Sequence, residues 1–275
     1  MPKKLYYLLI TIFLFLTSCA ENKKPDINEK GKNRIPVIRL DRESLSGIGL
    51  KPVKNNDQPD RRLFQKRLVR GQDLSVYVVS SETATAHQDN YGMEEFIKLI
   101  NGRSRMHPVN GNELIFETGD SFIAPKGFTG EWETIGGNEF LIGLSVITTQ
   151  RIEGQIEISK TLPFLIDKKI RSGVRLLNVK GEPNIEGTTE VYRGLELTIK
   201  MSETKPQRID ITKPMQEQVV EVISGKVSIT PLGSETEVFL TGDYYMIPEG
   251  FIGTFEYAGH GNIRTVHIYK SILED

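Results

Sequence analysis

The chain has 275 residues, 35 Lys and Arg against 36 Asp and Glu, and a formal charge of −1. That length accommodates one large domain or two small ones with a real core, and the balanced charge provides no basic field to recruit nucleic acid. A single cysteine excludes an internal disulfide, a paired-cysteine metal site and a cysteine nucleophile in the folded part.

In chain order, Lys3 and Lys4 precede an unbroken apolar run from Leu5 to Leu16, which closes on Leu16-Thr17-Ser18-Cys19. An export signal needs about 7–15 apolar residues and a membrane-spanning helix about 20, so this run predicts a cleaved signal. The Leu-Thr-Ser-Cys ending resembles the lipobox of bacterial lipoproteins. That resemblance implies removal of residues 1–18 and acylation of Cys19, which would tie the chain to a periplasmic or outer-membrane surface of the cell envelope. Residues 19–35 follow as a predicted flexible tether: Ala20 to Arg34 has one Ile and is otherwise Ala, charged, amide, Pro or Gly. Fifteen such residues reach about 20–25 Å. Loss of Lys3 and Lys4 leaves 33 basic residues against 36 acidic, a net charge of −3.

Beyond the tether, two stretches carry the same punctuation. Arg70-Gly71, Asn101-Gly102, Gly119-Asp120 and Pro125-Lys126-Gly127-Phe128-Thr129-Gly130 recur as Arg193-Gly194, Ser224-Gly225, Gly242-Asp243 and Pro248-Glu249-Gly250-Phe251-Ile252-Gly253. Every pair is offset by 123 positions. The chain is therefore expected to hold two copies of one unit, over residues 36–150 and 158–275. Short β-branched or aromatic runs (76–79, 96–100 and 122–124, then 195–199, 219–223 and 244–247) predict strands, and Lys226 to Thr230 alternates with Val227 and Ile229 facing a core. No segment has helical periodicity over helical length. Many short strands at regular spacing predict an all-β sandwich or barrel.

Asn101-Gly102 predicts a type I′ hairpin, in which both central residues take positive φ. In Gly-Asp-x-x-x-x-Pro-x-Gly, Pro125 is expected at the second position of a turn and Gly127 where that turn favours glycine. The strand carrying Trp132, or Phe255 in the second copy, is then expected to run back antiparallel. These residues read as scaffold.

Glu95, six residues and then Gly102, followed by Gly119-Asp120-Ser121-Phe122-Ile123-Ala124-Pro125-Lys126-Gly127-Phe128, resembles the two motifs of the cupin superfamily. Pro125 to Glu133 is similar to the branch holding ureidoglycine aminohydrolases and ethanolamine-utilisation cupins. The resemblance covers both copies and implies a bicupin: two tandem jelly-roll barrels, each with a central pocket. Cupin enzymes of this kind hold a divalent metal on His-x-His, a Glu and a later His. Here there are four histidines and no His-x-His. Tyr91 and Asp89 fall at the upstream ligand places in copy one, and the later histidine is replaced by Gly130. In copy two the corresponding places hold Thr212, Pro214, Gln218 and Gly253. No cofactor is therefore predicted.

In copy one His87, Asp89, Tyr91 and Glu95 share strand parity, which permits a weak His87–Asp89–Glu95 metal or acid–base site if one strand runs through them. The alternative places His87 and Asp89 in an exposed loop and only Glu95 inside, paired with an Arg or Tyr. His267, in an apolar strand, reads as a hydrogen-bonded structural histidine, and His107 and His260 read as turn residues. The basic run Arg61 to Arg70 reads as a solvated strand edge. Trp132, Phe128, Tyr244 and Phe251 are core fillers or stacking surfaces. The pocket candidates are thus His87, Asp89, Tyr91, Glu95, Trp132 and Gln218, with Cys19 as the lipidation site. The expected function is a lipid-anchored, metal-free module that binds a small polar molecule or carbohydrate. The rival is a cupin enzyme, ureidoglycine-aminohydrolase-like or sugar-modifying, with its active site in copy one and Glu95 as its candidate catalytic residue. Sheet augmentation to a homodimer is a further expectation.

Overall fold

The computed structural model describes residues 35–54, 60–151, 162–172 and 187–272. The signal segment, Cys19 and the tether up to residue 34 lie outside the described residues. The chain order begins with β1 (Ile38–Arg39), α1 (Arg42–Leu45), β2 (Lys51–Val53), β3 (Leu63–Arg70), β4 (Leu74–Glu82), β5 (Ala84–Gln88) and β6 (Glu95–Asn101). It continues through β7 (Arg103–Pro108), β8 (Leu114–Phe116), β9 (Ser121–Ala124), β10 (Gly130–Ile135) and β11 (Phe140–Thr148). Next come β12 (Phe164–Ile166), α2 (Lys168–Arg171), β13 (Gly187–Arg193), β14 (Leu197–Thr204) and β15 (Gln207–Ile211). The last are β16 (Gln218–Ser224), β17 (Lys226–Pro231), β18 (Glu237–Leu240), β19 (Tyr244–Ile247), β20 (Gly253–Ala258) and β21 (Ile263–Lys270).

These strands form two β-barrels. The first pairs a seven-stranded sheet, β12-β9-β6-β11-β4-β3-β2, with the four-stranded β5-β10-β7-β8. The second pairs the six-stranded β1-β19-β16-β21-β14-β13 with β15-β20-β17-β18. Strands β5, β6, β7, β9 and β10 recur 123 positions later as β15, β16, β17, β19 and β20, so the sequence period is the structural one. Among the described residues no helix is long and apolar enough to cross a membrane.

The large sheets are apolar on both faces, and the alternation of each strand divides its residues between two cores. Phe96, Val146, Val76, Val219, Ile268 and Ile199 point to one core shared by both barrels. Ile97, Leu99, Phe122 and Leu141 fill the first barrel, and Val220, Val222, Tyr245 and Ile263 fill the second. A strand buried on both sides reads as a continuous hydrophobic run, which is why Val76-Tyr77-Val78-Val79 shows no polar alternation.

The arms before each barrel are exchanged. β1 pairs with β19 of the second barrel, and β12 pairs with β9 of the first. β12 lies within the range assigned from sequence to the second unit, yet it completes a sheet of the first. Ile35, at the end of the tether range, packs against the second barrel's core. Polar contacts repeat the exchange. Glu217 accepts the backbone N–H groups of Gln72, Asp73 and Leu74 at 2.8, 2.9 and 2.7 Å, and its counterpart Glu94 accepts that of Glu196 at 2.7 Å. Lys98 and Glu221 occupy equivalent positions in the two copies and lie 3.6 Å apart across the junction, with Arg171 bonded to both Glu221 oxygens at 2.9 and 2.6 Å.

Several local expectations are corrected. Gly102 has φ +96° but Asn101 does not take positive φ, so Asn101-Gly102 is not a type I′ turn. The chain turns a corner there, from β6 in the large sheet to β7 in the small one, and a Cβ on Gly102 would lie 2.6 Å from the Ile135 carbonyl. Phe128 N–H bonds to Pro125 O, which places Pro125 first in its turn rather than second, with Gly127 third at φ +82°. β10 does not return along β9; it crosses to pair with β5 and β7. The strand expected from Leu195 starts at Leu197, and His107 lies in β7 rather than a turn. The basic strand β3 is partly covered by β2, which pairs with its first three residues.

Candidate functional site

On β6 the pleat sends Phe96 to the shared core and Glu95 into the first barrel. The Glu95 carboxylate accepts a hydrogen bond from the Tyr91 hydroxyl at 2.7 Å and another from the Ser145 hydroxyl on β11. Part of Glu95 stays accessible while protein encloses it, as expected of a side chain lining a barrel lumen. Burial raises its pKa, against the lowering effect of the Ser145 and Tyr91 bonds and of the Arg151 charge. Burial and the Glu95 charge hold the Tyr91 phenol well above its usual value, so it stays a donor. Trp132 on β10 meets Tyr91 edge-to-face at 5.5 Å and donates its indole N–H to Ser104 Oγ at 2.8 Å. Arg151, exposed, has Nη1 3.6 Å from where a Cβ on Gly92 would stand.

The second barrel fills the same positions differently. Gln218 stands where Glu95 stands. Ser145 pairs with Ile97 and Tyr77, and His267 pairs with Val220 and Lys200, so His267 replaces Ser145 and Lys200 replaces Tyr77. His267 Nδ1 is 2.7 Å from Gln218 Oε1, and its Nε2 is 2.6 Å from Thr265 Oγ1. The amide oxygen can only accept, so the proton sits on Nδ1 and the Thr265 hydroxyl donates to Nε2. Burial, helped by the Lys200 charge, lowers the His267 pKa to about 4, leaving the ring neutral at pH 7. Tyr269 stacks on His267 with ring centres 6.1 Å apart, and Lys200 Nζ lies 5.5 Å from the Tyr269 ring centre.

Of the six pocket candidates, Tyr91, Glu95 and Trp132 are brought together in the first barrel, and Gln218 lies in the second. His87 and Asp89 are exposed and do not join Glu95. β5 ends at Gln88 in the small sheet, and Asn90 takes φ +54° before β6 opens in the large one. Parity counted along the sequence therefore does not carry across this corner. His87 lies opposite Glu131 on the small sheet, and His107 flanks Glu131 from the other side. Phe128 and Phe251 are fully buried within the two barrel cores, while Tyr244 joins the shared core. His260 is exposed in a bend. The partnership of His267 with Gln218 escaped sequence reading; its one signal was that both residues stand in apolar strands.

A family model described as a EutQ-like cupin domain matches residues 72–136 and again residues 198–262. The chain is two tandem cupin domains. Solved structures agree on this fold. A salicylate 1,2-dioxygenase from Pseudoaminobacter salicylatoxidans, in complex with gentisate, aligns with a TM-score of 0.60 and 12% identity over 86% of this chain and 83% of that one. A protein of unknown function from Pseudomonas syringae pv. tomato aligns with a TM-score of 0.57 and 16% identity, over 86% and 99%. Protein Ylba from E. coli aligns with a TM-score of 0.54 and 11% identity, over 90% and 97%. At such identities the likeness is one of fold alone. No curated protein matches the sequence.

A divalent metal is the group that this fold family implies. Among the described residues no three His, Cys, Asp or Glu side chains are placed to hold a metal ion. Cupin domain 1 turns one carboxylate inward among hydroxyls, and domain 2 turns one imidazole inward with both nitrogens already bonded. These donor sets do not fit a Mn, Fe, Ni or Zn centre, which takes several imidazole or carboxylate ligands.

Proposed function

We propose that this bicupin is a metal-independent binding module, carried on a lipid-anchored Cys19 at a cell-envelope surface, with its ligand in cupin domain 1. The observation that carries this reading is the carboxylate of Glu95, enclosed by the barrel yet partly open, between two hydroxyl donors, one of them on Tyr91, whose ring packs against Trp132. A carboxylate accepts from sugar or polyol hydroxyls, and an aromatic face suits the apolar side of such a ligand. The lipid anchor rests on the sequence pattern from Lys3 to Cys19 and the length of the tether after it.

Trp132 is the only tryptophan, so its emission reports on this barrel alone. A saturable emission change is expected with a member of a monosaccharide and polyol panel, lost in Glu95→Gln. Metal analysis of the purified chain should find no stoichiometric Mn, Fe, Ni or Zn. One tightly held ion per chain, or binding that survives Glu95→Gln, would defeat the proposal. A second reading is supported by the raised pKa of Glu95: a carboxyl that burial makes hold its proton to higher pH than a solvated one suits general acid–base work. Under it, Glu95→Gln abolishes turnover of a bound ligand rather than binding.

A further inference from the structure

The two lumens differ in charge at equivalent positions. Domain 1 sets Tyr77, Ser145 and Glu95 where domain 2 sets Lys200, His267 and Gln218. The acidic group is gone from the second barrel and an ammonium has appeared. Among the described residues no carboxylate forms an ion pair with Lys200. Its acidic neighbour across the strands, Glu190, feels the Lys200 charge but is bonded to Arg193 through two hydrogen bonds of 2.9 and 2.7 Å.

We propose that cupin domain 2 holds a second ligand site, for a small carboxylate, with Lys200 as the anion-binding residue and Tyr269 and Tyr257 as its walls. His267 cannot serve as the cation, because Gln218 and Thr265 occupy both of its nitrogens and fix it as a flat neutral ring. That ring and Tyr269, stacked at 12° between planes, make a plate beside the ammonium. Tyr257 stacks on Phe255 from the small sheet and adds a second aromatic surface. Burial pushes the Tyr257 and Tyr269 phenols up to about 12, so both remain protonated donors. A carboxylate beside the half-buried Lys200 gains a charge-assisted bond and leaves its apolar body on the rings. At the equivalent place in domain 1 the anion would meet the Glu95 carboxylate, whose charge Arg151 partly offsets, and no ammonium stands at Tyr77, so the two barrels offer an anion different partners.

Benzoate is the probe and benzamide its uncharged counterpart, titrated into the full chain. The readouts are the imidazole NMR signals of His267, assigned with His267→Gln, and the emission of Trp132. Benzoate is expected to shift His267 saturably and leave Trp132 unchanged, while benzamide binds at least about tenfold more weakly, the scale of one charge-assisted bond. Lys200→Met, which keeps the side chain's apolar bulk, should weaken benzoate by a similar factor, and Lys200→Arg should restore it. Equal binding of benzamide, no saturable His267 shift, or binding unaffected by Lys200→Met would overturn the proposal. Because the site lies in the other barrel, its failure leaves the domain 1 reading untouched, and the reverse holds.

Discussion

Replacing Glu95 by Gln separates a ligand-binding carboxylate from a structural one. Two hydroxyls donate to the carboxylate. The amide oxygen retains one of these bonds, and the amide N–H₂ donates to the other hydroxyl once that rotates to accept. The loss is thus one exchanged hydrogen bond, about 1 kcal/mol. Against it stands relief from holding a charge in an enclosed site, where burial is the largest influence on Glu95 and raises its pKa. The folded protein therefore binds this proton more tightly than the unfolded chain. The wild type loses stability as pH rises from the unfolded value near 4.5 through the raised folded value, and the glutamine variant escapes that loss. Expected, then, is a net change within about 1 kcal/mol at neutral pH, with the difference moving in favour of Gln between pH 4 and pH 8. Urea unfolding followed by circular dichroism at the two pH values measures it. A loss beyond about 2 kcal/mol at pH 8 would show a keystone charge and refute the reasoning.

The junction and the second barrel give further expectations. Glu217→Ala strands three backbone donors behind the Gly71 turn and is expected to cost about 3–5 kcal/mol, read as a lower urea midpoint; a change under about 1 kcal/mol would mean that water replaces the carboxylate freely. Gly71→Ala should be as damaging, because its Cβ would stand 2.2 Å from Glu217 Oε2, and joining it with Glu217→Ala should recover part of the loss. His267 is neutral in the fold down to about pH 4, whereas the unfolded chain protonates it near 6.5. Stability on this account falls as pH drops through that window, by at most about 3 kcal/mol, and His267→Gln should flatten the profile there.

The sequence by itself determined the duplication, the all-β class and the turn glycines, because each is carried by short segments: landmarks of a few residues that recur 123 positions apart, short apolar runs and glycines at turns. The motif spacing from Glu95 to Gly102 also singled out Glu95 as the candidate carboxylate of the first unit. Strand parity could not be extended from His87 to Glu95, because the chain changes sheets between them and the pleat count starts afresh. The landmarks Arg70-Gly71 and Arg193-Gly194 were visible, but their cause was not. Each glycine makes room for a glutamate of the other domain, with the would-be Cβ 2.2 Å from Glu217 at Gly71 and 1.6 Å from Glu94 at Gly194. Only tertiary structure decided the exchanged arms, the Lys98–Glu221 pair and the bond between Gln218 and His267. These join residues from 41 to more than 200 positions apart, and hydrogen bonding between distant strands leaves no mark on local sequence pattern.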